Sequence, residues 1–294
     1  MNGVYPAALT MFGPGGRLNL EDTCAHLDWL IGQGVHGLVI GGTSGEFVAL
    51  TGAERRVLLE AALETVAGRV PVLAGTGAYT TAETIELTAH AEAAGATAAL
   101  VVLPYFQRPS REEVLAHYRA VAAGSGLPIW VYNIPANAAI PALDLPDLAA
   151  LHAEGVIAGV KSTLPTVHQL AELAALPGFR AFYGGYAAPV EALAGGAHGW
   201  ISGLLNVVPA AAVAVWDAMR RSDLPAARAA WAELLPLRRM LARPPVPGVS
   251  DLALYRGVLR LQGRPAGHCR APLRDLDAAE SRILEKALGK VPSP

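Results

Sequence analysis

Eight short apolar runs separated by helical segments constrain the fold of this chain more than any other feature. Each run is nearly continuous in apolar residues, which is typical of parallel strands covered by helices on one face and a packed interior on the other. Eight such strands fit a TIM (β/α)₈ barrel better than an open doubly wound sheet. The runs are residues 4–10, 37–41, 70–75, 98–103, 128–132, 157–161, 180–184 and 199–202.

The segments between these runs carry helix-start signals. Residues 51–54 (Thr-Gly-Ala-Glu) and 110–113 (Ser-Arg-Glu-Glu) each place a hydroxyl three positions before a glutamate, the spacing of a capping box. After Trp216 the strand pattern stops, and the remaining helical pattern is broken by the proline-rich residues 243–248. We therefore expect a catalytic barrel over residues 1–222 and a C-terminal helical segment over residues 223–294.

Charge and cysteine content exclude several classes of protein. The formal net charge is −2, with basic and acidic residues interspersed, which offers no footprint for nucleic acid or an anionic membrane. Cys24 and Cys269 have neither the number nor the spacing of a disulfide framework or a zinc site. No signal peptide or membrane span is evident, so we expect a cytoplasmic protein with a small-molecule partner.

Lys161 stands out because the chain uses arginine almost everywhere else. Its other two lysines, Lys286 and Lys290, lie in the charged last helix and tail. A guanidinium stays charged and cannot act as an amine nucleophile, whereas a lysine among apolar neighbours loses hydration of its ammonium form and can attack a carbonyl. Lys161 closes an apolar strand, where a TIM barrel places its chemistry. Composition alone leaves a salt-bridging structural lysine equally open.

Residues 41–46 (Gly-Gly-Thr-Ser-Gly-Glu) form a glycine-rich turn after the second predicted strand. Such a turn can direct backbone N–H groups at a carboxylate, and Thr43 and Ser44 add hydroxyl donors. The pattern lacks the lysine of a phosphate-binding P-loop and the spacing of a nucleophile elbow. An anion site and a tight β/α turn with polar caps both remain open.

Tyr132 ends the fifth predicted strand and places a phenol at the same rim as Lys161. A tyrosine there can relay protons to a carbinolamine, although a lone tyrosine is also common in a core or an interface. No dinucleotide fingerprint and no HxH or HExxH pattern is present, so we expect no metal and no cofactor. A phosphate loop at residues 184–185 is the alternative within this fold.

Four motifs in order resemble the dihydrodipicolinate synthase and N-acetylneuraminate lyase family of class I aldolases, along nearly the whole chain. They are GGTSGEF at residues 41–47, LPYFQRP at 103–109, YNIP at 132–135 and GVKST at 159–163. The resemblance implies that Lys161 forms an imine with a 2-keto acid, that Tyr132 relays protons and that Ser44 assists catalysis. The positions that it assigns to substrate binding are Gly42, Thr43, Ser44, Asn137, Gly185 and Ile201.

Two residues depart from the synthases of that family. Phe106 stands where those enzymes carry a second relay tyrosine at a subunit interface, so Tyr105 and Phe106 become interface candidates without the relay. Asn137 stands where they carry an arginine for the aldehyde's carboxylate, and a neutral amide cannot replace a charged bidentate contact.

These departures favour a lyase that cleaves a 2-keto-3-deoxy sugar acid or 4-hydroxy-2-oxoglutarate to pyruvate and an aldehyde. Dihydrodipicolinate synthesis from pyruvate and aspartate semialdehyde is the alternative, and a non-catalytic barrel that binds a 2-keto acid is an alternative of another class. The resemblance also implies a homotetramer built as a dimer of dimers. The identity of the aldehyde and any feedback regulation stay open.

Overall fold

Eight parallel strands form a barrel in the computed structural model, which describes residues 1–289. Hydrogen bonding runs in the order β1-β8-β7-β6-β5-β4-β3-β2, and a parallel bridge between Ala7 and Val39 joins β1 to β2. The predicted fold is therefore confirmed, and six of the eight strands are one to three residues shorter than the predicted apolar runs. Their bounds are β1 Gly3–Pro6, β2 Leu38–Ile40, β3 Val72–Gly75, β4 Ala98–Val102, β5 Ile129–Asn133, β6 Gly159–Ser162, β7 Arg180–Tyr183 and β8 Gly199–Ser202.

Helices follow the strands and continue beyond the barrel. Both predicted capping boxes are present, at Thr51 with Glu54 and at Ser110 with Glu113. The α-helices of the described residues are α1 Leu20–Gly32, α2 Gly52–Val66, α3 Thr81–Ala94, α4 Arg111–Ala123, α5 Pro135–Ala138, α6 Leu145–Ala153, α7 His168–Ala174, α8 Pro189–Ala194, α9 Pro209–Arg220, α10 Leu224–Ala242, α11 Asp251–Leu261 and α12 Ala278–Leu288.

The C-terminal helices α10 to α12 pack on the barrel. The indole rings of Trp200 on β8 and Trp231 on α10 meet edge to face with centroids 5.9 Å apart. Buried side chains of α10 and α11 belong to the same apolar core as those of the barrel strands and helices. The division between residues 222 and 223 stays a prediction, and Lys290 lies outside the described residues.

Two buried histidines make the stability of this fold depend on pH. Burial lowers the pKa of His26, whose Nε2 lies 2.9 Å from Asn206 Oδ1, to about 4. Burial likewise lowers the pKa of His117, which contacts the Thr81 hydroxyl, to about 4. Both side chains are neutral in the folded state, whereas the unfolded chain takes up protons near pH 6.5. The stability that they contribute is therefore present above pH 6.5 and is lost as the pH falls toward 4.

We expect urea unfolding to show a free energy lower by roughly 2–3 kcal/mol per histidine at pH 4 than at pH 7.5. His117→Gln should flatten this dependence, because glutamine does not titrate. The exposed His168 offers a matched control, and His168→Gln should leave the slope unchanged. An equal slope in the His117→Gln variant would show that His117 does not contribute.

Candidate active site

Lys161 and Tyr132 are brought together by strand register. β5 and β6 are neighbours, and Tyr132 pairs directly with Lys161 near the carboxyl ends of both strands. The Lys161 Nζ lies 3.8 Å from the centroid of the Tyr132 ring. Only 3% of Lys161 and 4% of Tyr132 is exposed. An amine and a phenol thus share one buried site at the rim where this fold places its chemistry.

No ion pair involves Lys161 within residues 1–289. The structure therefore does not support a salt-bridging lysine at this position. The Nζ lies over an aromatic ring, 3.8 Å from its centroid, instead of beside a carboxylate.

The predicted glycine-rich turn lies beside this pair. Residues Thr43–Gly45 form one turn of 3₁₀ helix, and the Thr43 Oγ1 lies 3.2 Å from the Tyr132 hydroxyl. The N–H groups of Gly45 and Glu46 bond to carbonyls inside the turn. Among the residues that the structure describes, no acceptor is present for the N–H groups of Thr43 and Ser44. They are free to donate to an anionic group next to Lys161.

A cavity of about 240 Å³ opens beside Thr43. Asn137, on the four-residue helix α5, lines this cavity together with Thr43, so the structure brings this residue to the same cavity as the turn. No charged side chain lines the cavity within the described chain. Its lining consists of Thr43, Phe47, Val48, Val102, Tyr105, Ile134, Asn137 and Ala138.

Tyr105 and Phe106 occupy different environments. Tyr105 is half-buried, packs on Phe47 with ring centroids 5.8 Å apart, and has a pKa that burial raises to about 12. Phe106 is 81% exposed and has a left-handed backbone with φ of 70°. Together with the exposed Tyr79, whose ring lies 4.6 Å from that of Tyr105, they form an aromatic surface at the mouth of the cavity.

The remaining predicted positions lie on β8 and after β7. Ile201 is fully buried in the barrel interior, in the same apolar cluster as Tyr132. The carbonyl of Gly185 accepts a hydrogen bond from the Trp200 indole at 2.7 Å. The Gly184 N–H donates to the Ser162 carbonyl at 2.7 Å and is not free to bind a phosphate. One of the two backbone N–H donors that a phosphate loop at residues 184–185 would use is therefore already occupied.

Sequence reasoning missed Gly203 and Tyr255. A Cβ on Gly203 would lie 2.5 Å from Ser44 Oγ and 2.9 Å from Tyr255 Cε2, so only glycine leaves room for both side chains. Gly203 directly follows β8, and a search of every strand end would have found it. Tyr255 lies on α11, far along the chain, and no local pattern links it to the site.

The described residues hold neither a metal-binding cluster nor a membrane-spanning helix. Residues 1–289 contain no group of three or more histidine, cysteine, aspartate or glutamate side chains placed to hold a metal ion. None of their helices combines the length and the apolar character needed to cross a bilayer.

Comparison with known proteins gives whole-chain matches. The model of the Dihydrodipicolinate synthetase family matches residues 1–291. The 4-hydroxy-tetrahydrodipicolinate synthase of Protochlamydia amoebophila is 32% identical, over 99% of this chain and 97% of that protein. YagE, a prophage protein of the dihydrodipicolinic acid synthase family from E. coli solved with pyruvate, is 30% identical with a TM-score of 0.91, covering 99% and 98% of the two chains. A monomeric dihydrodipicolinate synthase variant is 28% identical with a TM-score of 0.89, covering 98% and 96%.

Proposed function

The chain belongs to the Dihydrodipicolinate synthetase family, and we infer from this membership that it is a class I pyruvate-type aldolase. The observation that carries the residue assignment is the position of the Lys161 Nζ against the Tyr132 ring, in a buried site beside a turn with free N–H groups. We assign Lys161 as the nucleophile that forms the Schiff base.

The reaction begins when the neutral Lys161 amine attacks the keto carbon of the substrate. The carbinolamine takes up a proton and loses water to give a protonated imine, which acts as an electron sink. Loss of the C4 hydroxyl proton then breaks the C3–C4 bond, releases an aldehyde and leaves an enamine. Protonation of the enamine at C3 and hydrolysis return pyruvate and the free lysine. No cofactor takes part in this sequence.

Tyr132 is the group that moves these protons. Its hydroxyl lies within hydrogen-bond distance of the Thr43 hydroxyl, at 3.2 Å, and its ring touches the Lys161 amine. A phenol in this place can protonate the leaving hydroxyl of the carbinolamine and later accept the proton of the C4 hydroxyl. Thr43 orients the phenol through the hydrogen bond between the two hydroxyl groups.

The substrate carboxylate is assigned to the turn that follows β2. The free N–H groups of Thr43 and Ser44 and the Ser44 hydroxyl can donate to its oxygens. This contact holds the keto carbon beside the Lys161 amine, which converts imine formation into an intramolecular step. Gly42, which precedes these donors, keeps the backbone close to the carboxylate, while Gly185 and Ile201 shape the wall of the site.

The aldehyde half of the substrate is assigned to the cavity beside Asn137. Its lining is uncharged, and the Asn137 amide can donate to and accept from hydroxyl groups. Cleavage of a 2-keto-3-deoxy sugar acid releases a neutral aldehyde and fits this lining best. Cleavage of 4-hydroxy-2-oxoglutarate or condensation with aspartate semialdehyde would place a second carboxylate in this cavity. Among the described residues, the cavity lining offers no positively charged side chain to pair with that carboxylate. The condensation is the second candidate because relatives such as that of Protochlamydia amoebophila are named as synthases.

A panel of substrates with a coupled pyruvate assay tests this assignment. We expect the wild-type protein to cleave 2-keto-3-deoxy sugar acids with a higher kcat/KM than 4-hydroxy-2-oxoglutarate. Asn137→Arg should raise kcat/KM for 4-hydroxy-2-oxoglutarate by about tenfold, because a charge-assisted hydrogen bond contributes roughly 1.5–3 kcal/mol. Asn137→Leu is the control that removes the amide without adding charge. Efficient wild-type condensation with aspartate semialdehyde would contradict the neutral-aldehyde assignment.

We also propose a cytoplasmic homotetramer in which the aromatic surface of Tyr79, Tyr105 and Phe106 is covered by a neighbouring subunit. Phe106 is 81% exposed in the single chain, and a clustered aromatic surface is typical of an interface. Light scattering of the wild-type protein and of Phe106→Asp should give a tetramer and a smaller species, respectively. A monomeric wild-type protein, as in the solved monomeric synthase variant, would contradict this assembly.

A further inference from the structure

We propose that Arg256, on the C-terminal helix α11, is a positioning residue for the turn that binds the keto acid carboxylate. The proposal rests on the proposed function of that turn. Arg256 does not touch the reacting atoms, and it acts through Glu46, the residue that ends the turn.

The contact between Arg256 and Glu46 is a buried ion pair. The Arg256 Nη2 lies 2.6 Å from Glu46 Oε1, and the two side chains are 0% and 2% exposed. The other carboxylate oxygen of Glu46 accepts the backbone N–H of Arg270 at 3.0 Å. Both oxygens of Glu46 are therefore held by residues of the C-terminal segment, more than 200 positions away in sequence.

Glu46 connects these contacts with the C-terminal segment to the turn. Its backbone is left-handed, with φ of 54°, and this conformation ends the 3₁₀ turn Thr43–Gly45. A non-glycine residue adopts such a conformation only where its surroundings impose it. We attribute this conformation to the ion pair, which would then fix the direction of the Thr43 and Ser44 N–H groups.

Thr10 provides a second connection between Arg256 and the turn. Arg256 Nη2 also donates to the Thr10 carbonyl at 2.8 Å, and the Thr10 hydroxyl donates to the Gly45 carbonyl at 2.7 Å. Arg256 thus links Gly45 and Glu46, the first through Thr10 in the loop after β1 and the second directly. We call this set of contacts, Arg256 with Glu46, Thr10 and Gly45, the turn clamp.

Tyr255, the neighbour of Arg256 on α11, borders the other side of the turn. Its ring and the Ser44 hydroxyl face each other across Gly203, where no side chain would fit. Tyr255 is 2% exposed, and burial raises the pKa of its hydroxyl well above the usual range, so it stays a neutral phenol. Of these adjacent residues of α11, Arg256 therefore contacts Glu46 directly, while Tyr255 lies across Gly203 from Ser44.

The test measures pyruvate affinity in variants of the full chain, from the pyruvate concentration that half-saturates borohydride trapping and from calorimetry. Arg256→Met should raise this concentration by at least about tenfold, because displaced donors lose their alignment with the carboxylate. The yield of adduct at saturating pyruvate should stay near that of the wild-type protein. Arg256→Lys, which keeps the charge, should restore part of the affinity.

A double variant separates positioning from stability. Removing one partner of a buried pair destabilises a protein, whereas replacing both by apolar residues is often neutral. Glu46→Met with Arg256→Met should therefore regain thermal stability yet keep the weakened affinity. Asp147→Asn is the control: it breaks the ion pair between the buried Asp147 carboxylate on α6 and Arg111 on α4, shares no residue with the contacts of Glu46, and should leave affinity unchanged.

Wild-type affinity in the double variant, or an equal loss of affinity in Asp147→Asn, would overturn the turn clamp. If the wild-type protein binds pyruvate by calorimetry without a trapped adduct, the proposed function fails, and the same comparison of binding constants still decides the clamp. A wild-type protein that does not bind pyruvate at all would overturn both.

Discussion

Replacing Lys161 with methionine is expected to abolish both imine formation and aldolase activity. The side chain is 3% exposed, and methionine has a similar length and suits apolar surroundings, so the barrel should remain folded. Without the amine no covalent intermediate can form, and removal of a covalent nucleophile lowers kcat by roughly 10³-fold or more. The coupled pyruvate assay measures the loss of cleavage activity, and circular dichroism of the variant checks that the barrel is folded.

Two control variants test whether the loss is due to the amine of residue 161. Lys161→Arg keeps the positive charge, so it should be as inactive as the methionine variant, since a guanidinium cannot act as an amine nucleophile. Lys286→Met, on the exposed face of α12, should have wild-type activity. Substantial activity in Lys161→Arg would mean that the charge of residue 161, and not its amine, is what the reaction uses.

Tyr132→Phe is expected to produce the second-largest loss. The variant keeps the ring against which the Lys161 Nζ lies at 3.8 Å but removes the hydroxyl that lies 3.2 Å from Thr43 Oγ1. General acid–base catalysis contributes typically 10²–10⁴-fold, so kcat should fall by about that factor while the imine still forms slowly. Single-turnover cleavage together with the rate of borohydride trapping separates these two effects.

Tyr118→Phe is the matched control for this substitution. Tyr118 is also fully buried, and its hydroxyl donates to the Val101 carbonyl at 3.1 Å, away from Lys161. This variant should lose some stability and retain its kcat. A similar fall in kcat for both tyrosine variants would point to general loosening of the barrel, and unchanged kcat in Tyr132→Phe would remove the relay role.

The barrel could be predicted from sequence because its strands are buried on both faces. A continuous apolar run such as residues 98–103 is typical of a parallel strand buried on both faces. The capping boxes at Thr51 and Ser110 mark helix starts through local hydrogen bonds. Six of the eight strands are shorter than the runs, since apolar side chains also occupy the loops at either end of a strand. Gly3–Pro6 pairs as β1, while the backbone N–H groups of Leu9 and Met11 donate to Asn206 and Thr23.

The reacting groups were also accessible to sequence reasoning, because each ends a strand and strand ends meet at one rim. That rule places Tyr132 and Lys161 at the same rim, and the observed register pairs them directly. The residues that hold the turn were not accessible in this way. Arg256 lies 210 positions from its partner Glu46, and a buried arginine on an amphipathic helix carries no local signature of what it contacts.

The most direct test of the account is to incubate the wild-type protein with pyruvate, reduce it with borohydride and map the product by mass spectrometry. The chain contains lysine only at positions 161, 286 and 290, so an adduct can be assigned to one residue by peptide mapping. We predict one reduced pyruvate adduct, on Lys161, that is lost in Lys161→Met. Absence of any adduct, or an adduct confined to Lys286 or Lys290, would contradict the central claim that Lys161 forms the Schiff base.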